Sequence, residues 1–174
     1  MKRCIILFLI LACAYARAQE HSFKVQDRDI VWQKVFPSDL DSARILQAVL
    51  LSGAFSDVTP VSSGISLRIV PREVDYQAAG YSRGRTPMNL LACLLSGHAL
   101  IEFRPGRYRV TVDHLTLVEN ITTSLYEKGR TNSLEILALN KKGELRKVFQ
   151  ESALILEIDL SKIFSFKAKI EEDW

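Results

Sequence analysis

Cysteine is scarce in this chain, and what there is gathers at the front. Of 3 cysteines, Cys4 and Cys13 sit in the first apolar run and only Cys93 lies beyond it. A lone thiol closes no internal bridge, so a disulfide-framed scaffold is excluded and the fold must rest on its apolar core. The 48% apolar content is sufficient for one. Cys93 lies within Leu90-Leu91-Ala92-Cys93-Leu94-Leu95 and reads as a small buried hydrophobe. Histidine is equally sparse: His21, His98 and His114 are the full set. No His-x-x-x-His and no Cys/His spacing of a metal site occurs, so no metal and no cofactor is expected. Ser96 is not framed as Gly-x-Ser-x-Gly, so no nucleophile elbow is specified. There is no Pro/Ser linker, no repeat and no low-complexity tract, and residues 29–174 read as a single domain. Lysine is missing from 35 to 127, where every basic residue is Arg.

What the N-terminus does have is an export signal. Lys2 and Arg3 form a positive start, Cys4 to Tyr15 is almost wholly apolar, and Ala16-Arg17-Ala18 is a small-x-small cleavage site. The apolar stretch falls short of the ~20 residues of a membrane-spanning helix. Residues 1–18 are therefore expected to be a cleavable signal peptide and the protein to be exported, periplasmic or secreted. An alternative is lipidation: Ile10-Leu11-Ala12-Cys13 resembles a lipobox, and processing at Cys13 would give a lipid-anchored envelope lipoprotein, the one route to a membrane. Lys2, Arg3 and Arg17 account for the whole formal charge of +3. The remainder is neutral, and nothing in its charge indicates a nucleic-acid partner.

Residues 19–28 are polar and read as a loose lead-in. Ile30 to Phe36 is β-branched and aromatic and stops at Pro37, which predicts a strand. Ser38 is a candidate cap for a helix over 39–52, with acids at 39 and 41 suited to the positive end of the helix dipole and Gly53 as its stop. Val58 to Val61 and Ile65 to Val70 predict a hairpin around Ser62-Ser63-Gly64. Residues 72–86 read as a polar loop. Thr86-Pro87 can open a short helix over Met88 to Leu95, although a buried strand fits that apolar run almost equally.

Arg104-Pro105-Gly106-Arg107 between Ala99–Phe103 and Tyr108–Val112 predicts an antiparallel hairpin. With Arg104 opposite Arg107, one face carries Ala99, Ile101, Phe103, Tyr108, Val110 and Val112. The other carries His98, Leu100, Glu102, Arg104, Arg107, Arg109, Thr111 and Asp113. Such separation belongs to a sheet packed on one side. The apolar positions change parity at Leu115 and Leu117, which predicts a bulge or bend near 113–114. Further on, Asn132-Ser133 can cap a short helix over Leu134 to Leu139. Residues 144–168 predict one or two helices, with Leu154, Ile155, Ile158, Ile163, Phe164 and Phe166 on the buried face.

The order strand, capped helix, glycine-linked strands, Gly106-Arg107-Tyr108-Arg109 hairpin and C-terminal helix resembles a family of uncharacterised exported bacterial proteins, a domain of unknown function with a TATA-binding-protein-like fold. The resemblance covers about residues 29 to 118; the segment 76–97 does not align with it. It implies an α+β fold, a curved antiparallel sheet with helices packed on one face, plus a C-terminal helix. It implies no catalytic residues, and the fold name does not imply DNA binding.

Two constellations carry chemistry. His98 faces Asp113 in the register above, a pair that can orient an imidazole for base catalysis or metal binding, or simply link two strands. Glu102 is the one acid available there as a third ligand. From 64 to 109, Arg68, Arg72, Arg83, Arg85, Arg104, Arg107 and Arg109 outnumber Glu73, Asp75 and Glu102. Arg83, Arg85, Arg107 and Arg109 are candidate ligands for an anion, whether glycan, lipid head group or acidic partner. The expectation is an exported bacterial envelope protein that is a non-enzymatic binding or structural module, its partner an envelope protein or an anionic ligand. The alternatives are anion binding through an Arg-rich sheet face, and an envelope hydrolase or metal-dependent enzyme using His98.

Overall fold

The computed structural model describes residues 22–166. The expected signal segment, with Cys13, Ala16 and Ala18, lies outside the described residues, as does His21.

Strands β1 (Phe23–Gln26) and β2 (Asp29–Pro37) form a hairpin. Its turn residues Asp27 and Arg28 have φ of 51° and 71°, the paired left-handed geometry that follows the twist of the flanking strands. This corrects the loose lead-in expected over 19–28 as far as residues 23–28 are concerned; 19–21 lie outside the described residues. Phe23 pairs with Trp32 and is buried in the core. Only two apolar positions separated by Lys24 mark the strand, too short a pattern to stand out without its partner.

Helix α1 is Ser42–Leu51, inside the expected 39–52. Its cap is Asp41, which accepts from the Arg44 backbone N–H at 2.8 Å. Ser38 instead accepts from Leu40 N two residues on, a local turn that competes with capping. Ile45 and Val49 are buried in the core.

Strands β3 (Phe55–Val61) and β4 (Gly64–Arg72) form the expected second hairpin. A side chain at Gly64 is impossible in place, because a Cβ there would lie 1.8 Å from the Ile101 carbonyl oxygen of the neighbouring strand. Chain 73–87 crosses from β4 towards helix α2 (Met88–Leu91), and strand β5 (Cys93–Arg104) follows at once. The two readings of 88–95 thus each held for part of the run: one helical turn, then strand. Thr86 does not cap; its hydroxyl donates to the Ser82 carbonyl at 2.9 Å.

Strand β6 (Arg107–Glu119) pairs with β5 in the expected register, from Arg104↔Arg107 to His98↔Asp113. The register then shifts between Ser96 and His98, with His114 at φ 48°. This is the bulge that the parity change predicts. Strand β7 (Thr131–Ser133) pairs with β6, and helices α3 (Leu134–Ala138) and α4 (Phe149–Ile163) follow. The amide of Asn132 donates to Glu119 at 2.8 Å, and Ser133 makes no capping bond. Leu154, expected inside, is 42% exposed. The buried face of α4 is set by Phe149, Ala153, Ile155, Leu156 and Leu160.

The sheet order is β1-β2-β6-β5-β4-β3, every pair antiparallel, with β7 added beside β6. The sheet is curved and does not close, and with the C-terminal helix it is the expected α+β arrangement. One face holds Trp32, Phe36, Ile65, Leu67, Ile69, Ala99, Ile101, Tyr108, Val110 and Val112, all buried in the same core as Ile45, Val49 and the α4 residues. Phe164 stacks on Trp32 with centroids 6.0 Å apart, and its carbonyl accepts from the Tyr108 hydroxyl at 2.6 Å. Glu157 of α4 accepts from Trp32 Nε1 at 2.6 Å and from Lys34 Nζ at 2.8 Å. These contacts lock the helix to the inner face.

Candidate functional site

Because side chains alternate along a strand, the residues between the core positions form an outer face. Its rows follow from the register. Arg68, His98 and Asp113 stand side by side on β4, β5 and β6. Ser66, Leu100 and Thr111 form the next row, and Gly64, Glu102 and Arg109 the one after.

His98 is the centre of this face. Its Nδ1 lies 3.0 Å from Asp113 Oδ1 and its Nε2 lies 2.8 Å from Ser66 Oγ. A carboxylate only accepts, so the neutral ring carries its proton on Nδ1 and offers the Nε2 lone pair to the Ser66 hydroxyl. The order carboxylate, imidazole, hydroxyl is the connectivity of a proton relay. His114 Nδ1 also meets Asp113 Oδ1, at 2.9 Å. That hydrogen bond and the carboxylate charge raise the His114 pKa above its ordinary value. The chain of groups is open to solvent, with His98 44% and Asp113 36% exposed. Ser66 joins it through the β4–β5 register alone, and no local motif marks it. Ser96, the hydroxyl nearest His98 in sequence, is buried and donates to the Ile69 carbonyl.

The arginines separate. Arg109 grips Glu102 with two parallel bonds, Nε to Oε2 and Nη2 to Oε1, each 2.8 Å. This occupies both Glu102 oxygens. Arg107 lies opposite Arg104 at the tip of the β5–β6 hairpin, both exposed. Arg83 and Arg85 occupy a single exposed 3-10 turn in the segment leading to α2. That segment leaves β4 where Arg72 meets Leu95, roughly 30 Å along β5 from Arg104 at strand spacing. The four candidate arginines therefore belong to two segments rather than one row. Among the described residues, no ion pair engages Arg83, Arg85, Arg104 or Arg107.

Three carboxylates that sequence reading passed over are buried or nearly so, and each fastens a segment. Glu119 is 2% exposed and receives Arg130, Asn132 and the Glu127 backbone N–H. Burial alone would push its pKa up; these donors outweigh it and hold it below the ordinary value. Glu157 behaves alike, its burial outweighed by Lys34, Ser22 N–H and Trp32. Asp159 is fully buried and takes Arg72 and the Asp75 backbone N–H. Cys93 is buried as expected, and burial pushes its thiol pKa up.

A groove of about 510 Å³ runs beside α4, lined by Lys34, Glu157, Ile158, Ser161, Lys162 and Ser165. It shares no residue with the Ser66–His98–Asp113 chain. Among the described residues, no three His, Cys, Asp or Glu side chains come together as a metal site, and no helix is long and apolar enough to cross a membrane.

No family model matches the chain, and no curated protein matches it. Two solved structures are similar to it. One is a TBP-like protein from Parabacteroides distasonis, 12% identical, with 83% of this chain and 96% of that one covered and a TM-score of 0.47. The other is a DUF4468 family protein from Bacteroides ovatus, 14% identical, with 87% and 95% covered and a TM-score of 0.48. Their descriptions, a TATA-binding-protein-like protein and a member of a domain family of unknown function, are of the kind that the sequence resemblance names.

Proposed function

We propose that this chain is a non-enzymatic binding module of the bacterial envelope, exported and acting outside the inner membrane, which meets an anionic partner on the outer face of its sheet. The observation that carries the reading is the build of that face. Among the described residues, each of the four α-helices buries side chains in the core beneath the opposite face, while Ser66, His98, Asp113, Glu102 and Arg109 are each held in place by a neighbour on the next strand. Side chains ordered before contact lose less freedom on binding. The three-part N-terminal segment supports export; the mass of the N-terminal peptide after processing distinguishes a free protein cut after Ala18 from a lipid-anchored one beginning at Cys13.

The test is amide-shift mapping of the full chain with a sulfated oligosaccharide as a generic polyanion. Shifts gathered on Ser66, His98, Leu100, Arg107 and Arg109 are expected. Shifts confined to the α4 side, or none, would overturn the reading.

A second reading rests on the Ser66–His98–Asp113 relay, which has the connectivity of a serine hydrolase. Against it stands the setting. An acyl-transfer site needs backbone or side-chain donors aimed at the developing oxyanion. Here Ser66 sits within the ladder, paired with Thr59 on one side and with Leu100 on the other, so the backbone around the hydroxyl is engaged in strand pairing. Turnover of a p-nitrophenyl ester that disappears in both Ser66→Ala and His98→Ala would replace the binding reading with this one.

A further inference from the structure

We propose that Arg104 and Arg107 form a two-guanidinium site for a phosphate monoester at the tip of the β5–β6 hairpin. The proposal deepens the anionic-partner reading and rests on it.

The two residues are cross-strand partners, Arg104↔Arg107, next to the pair Glu102↔Arg109 on the same face. Like charges directly opposite each other destabilise a sheet, and opposite charges stabilise it. The hairpin therefore holds one compensated row and one uncompensated row, side by side. The uncompensated row has no internal relief. Glu102 is the acid next along β5 on that face, and Arg109 occupies both its oxygens. Asp39, which follows Pro37 closely and so lies near Arg107 in the chain path, forms no ion pair among the described residues.

The tip is also built to stay in place. Gly106 takes φ 72° after Pro105, closing the turn. The Gly106 carbonyl accepts from the Ser38 backbone N–H at 3.1 Å, and Pro37 of β2 pairs with Arg107. Three strands thus fix the spacing of the two backbone positions from which the side chains project. Each guanidinium presents a planar fork of donors that suits a phosphate or carboxylate. Two forks side by side call for a group with more than one negative charge and three free oxygens, which a phosphate monoester supplies and a single carboxylate does not. The same group occurs on a soluble phosphorylated metabolite and on a lipid head group, and the test separates them.

The full chain is titrated with glycerol 3-phosphate and, separately, with vesicles of phosphatidylcholine containing phosphatidic acid, at low and at high salt. Wild type is compared with Arg104→Gln/Arg107→Gln and with Arg83→Gln/Arg85→Gln. The expected result is binding to at least one probe, weakened at least tenfold in the Arg104/Arg107 variant and by high salt, and unchanged in the Arg83/Arg85 variant. Binding to the vesicles alone assigns the lipid source, and binding to both assigns the phosphate group itself. Removing the like-charge pair is also expected to raise the midpoint of thermal unfolding slightly, which separates lost binding from lost folding. Equal binding by the Arg104/Arg107 variant, salt-insensitive binding, or no binding to either probe would overturn the site. If the sulfated oligosaccharide still shifts the outer face in that event, the broader reading stands without it.

Discussion

Arg72, at the end of β4, donates to Asp159 of α4 at 2.5 Å, and this carboxylate is fully buried. Asp159 also accepts from the Asp75 backbone N–H at 2.9 Å, and Asp75 in turn meets Lys162. The start of the 73–87 crossing is thus fastened to the C-terminal helix twice, through Asp159 and through the Asp75–Lys162 ion pair. Replacing Asp159 with Ala is expected to cost about 3 kcal/mol, because it strands the Arg72 cation and an N–H donor. Hydrogen exchange should show the amides of 74–81 losing protection first.

Glu157 makes stability depend on acid. Its pKa is lowered in the folded state because Lys34, Ser22 and Trp32 donors outweigh its burial. A lowered carboxylate contributes stability that is full above its unfolded pKa, near 4.3, and is lost as pH falls through the folded value. The gap in urea-unfolding free energy between wild type and Glu157→Gln should therefore be about 2 kcal/mol at pH 7 and shrink steadily below about pH 4. A gap independent of pH would show that the carboxylate charge is not what the donors hold.

Gly64 should tolerate no side chain. An alanine Cβ would enter the Ile101 carbonyl oxygen, so β4 must part from β5 at the start of the edge hairpin. The expected loss for Gly64→Ala is more than about 2 kcal/mol, against less than about 0.5 for Gly84→Ala, where nothing lies within 4 Å. Urea midpoints of the two variants measure the difference.

The β1–β2 turn leaves room for improvement. Asp27 and Arg28 both hold positive φ, a conformation that Asn-Gly adopts at lower cost. The double substitution Asp27→Asn/Arg28→Gly is expected to stabilise by about 1 kcal/mol, seen as a rise of several degrees in the unfolding midpoint.

The sequence revealed most where a signal was local. Pro105-Gly106 placed the turn, the alternation around it set the register, and the parity change placed the bulge at His114. The polar face came with that register, and with it the His98–Asp113 opposition. What stayed hidden depends on partners far along the chain. Ser66 reaches His98 only because β4 lies beside β5, 32 positions away in sequence. Burial of Glu119, Glu157 and Asp159 runs against their chemistry and is set by donors on other segments. Ser38, Thr86 and Ser133 are sound caps by type, yet each stands where the backbone found another use for it or none. Arg109 differs from Arg107 because Glu102 sits across from it, a pairing that the hairpin register places and the structure bears out.

The position of β2 orders events in time. The indole acceptor of Trp32, Glu157, lies 125 positions further along the chain, and Thr111 lies 78 positions beyond Gln33. Contacts of such long span form late and slowly. β2 therefore has its hairpin partner β1 at once, pairs with β6 only after about 75 further residues, and receives α4 on its inner face later still. A chain cut short before Glu157 leaves the Trp32 N–H without its partner and the inner face without the part of its cover that α4 supplies.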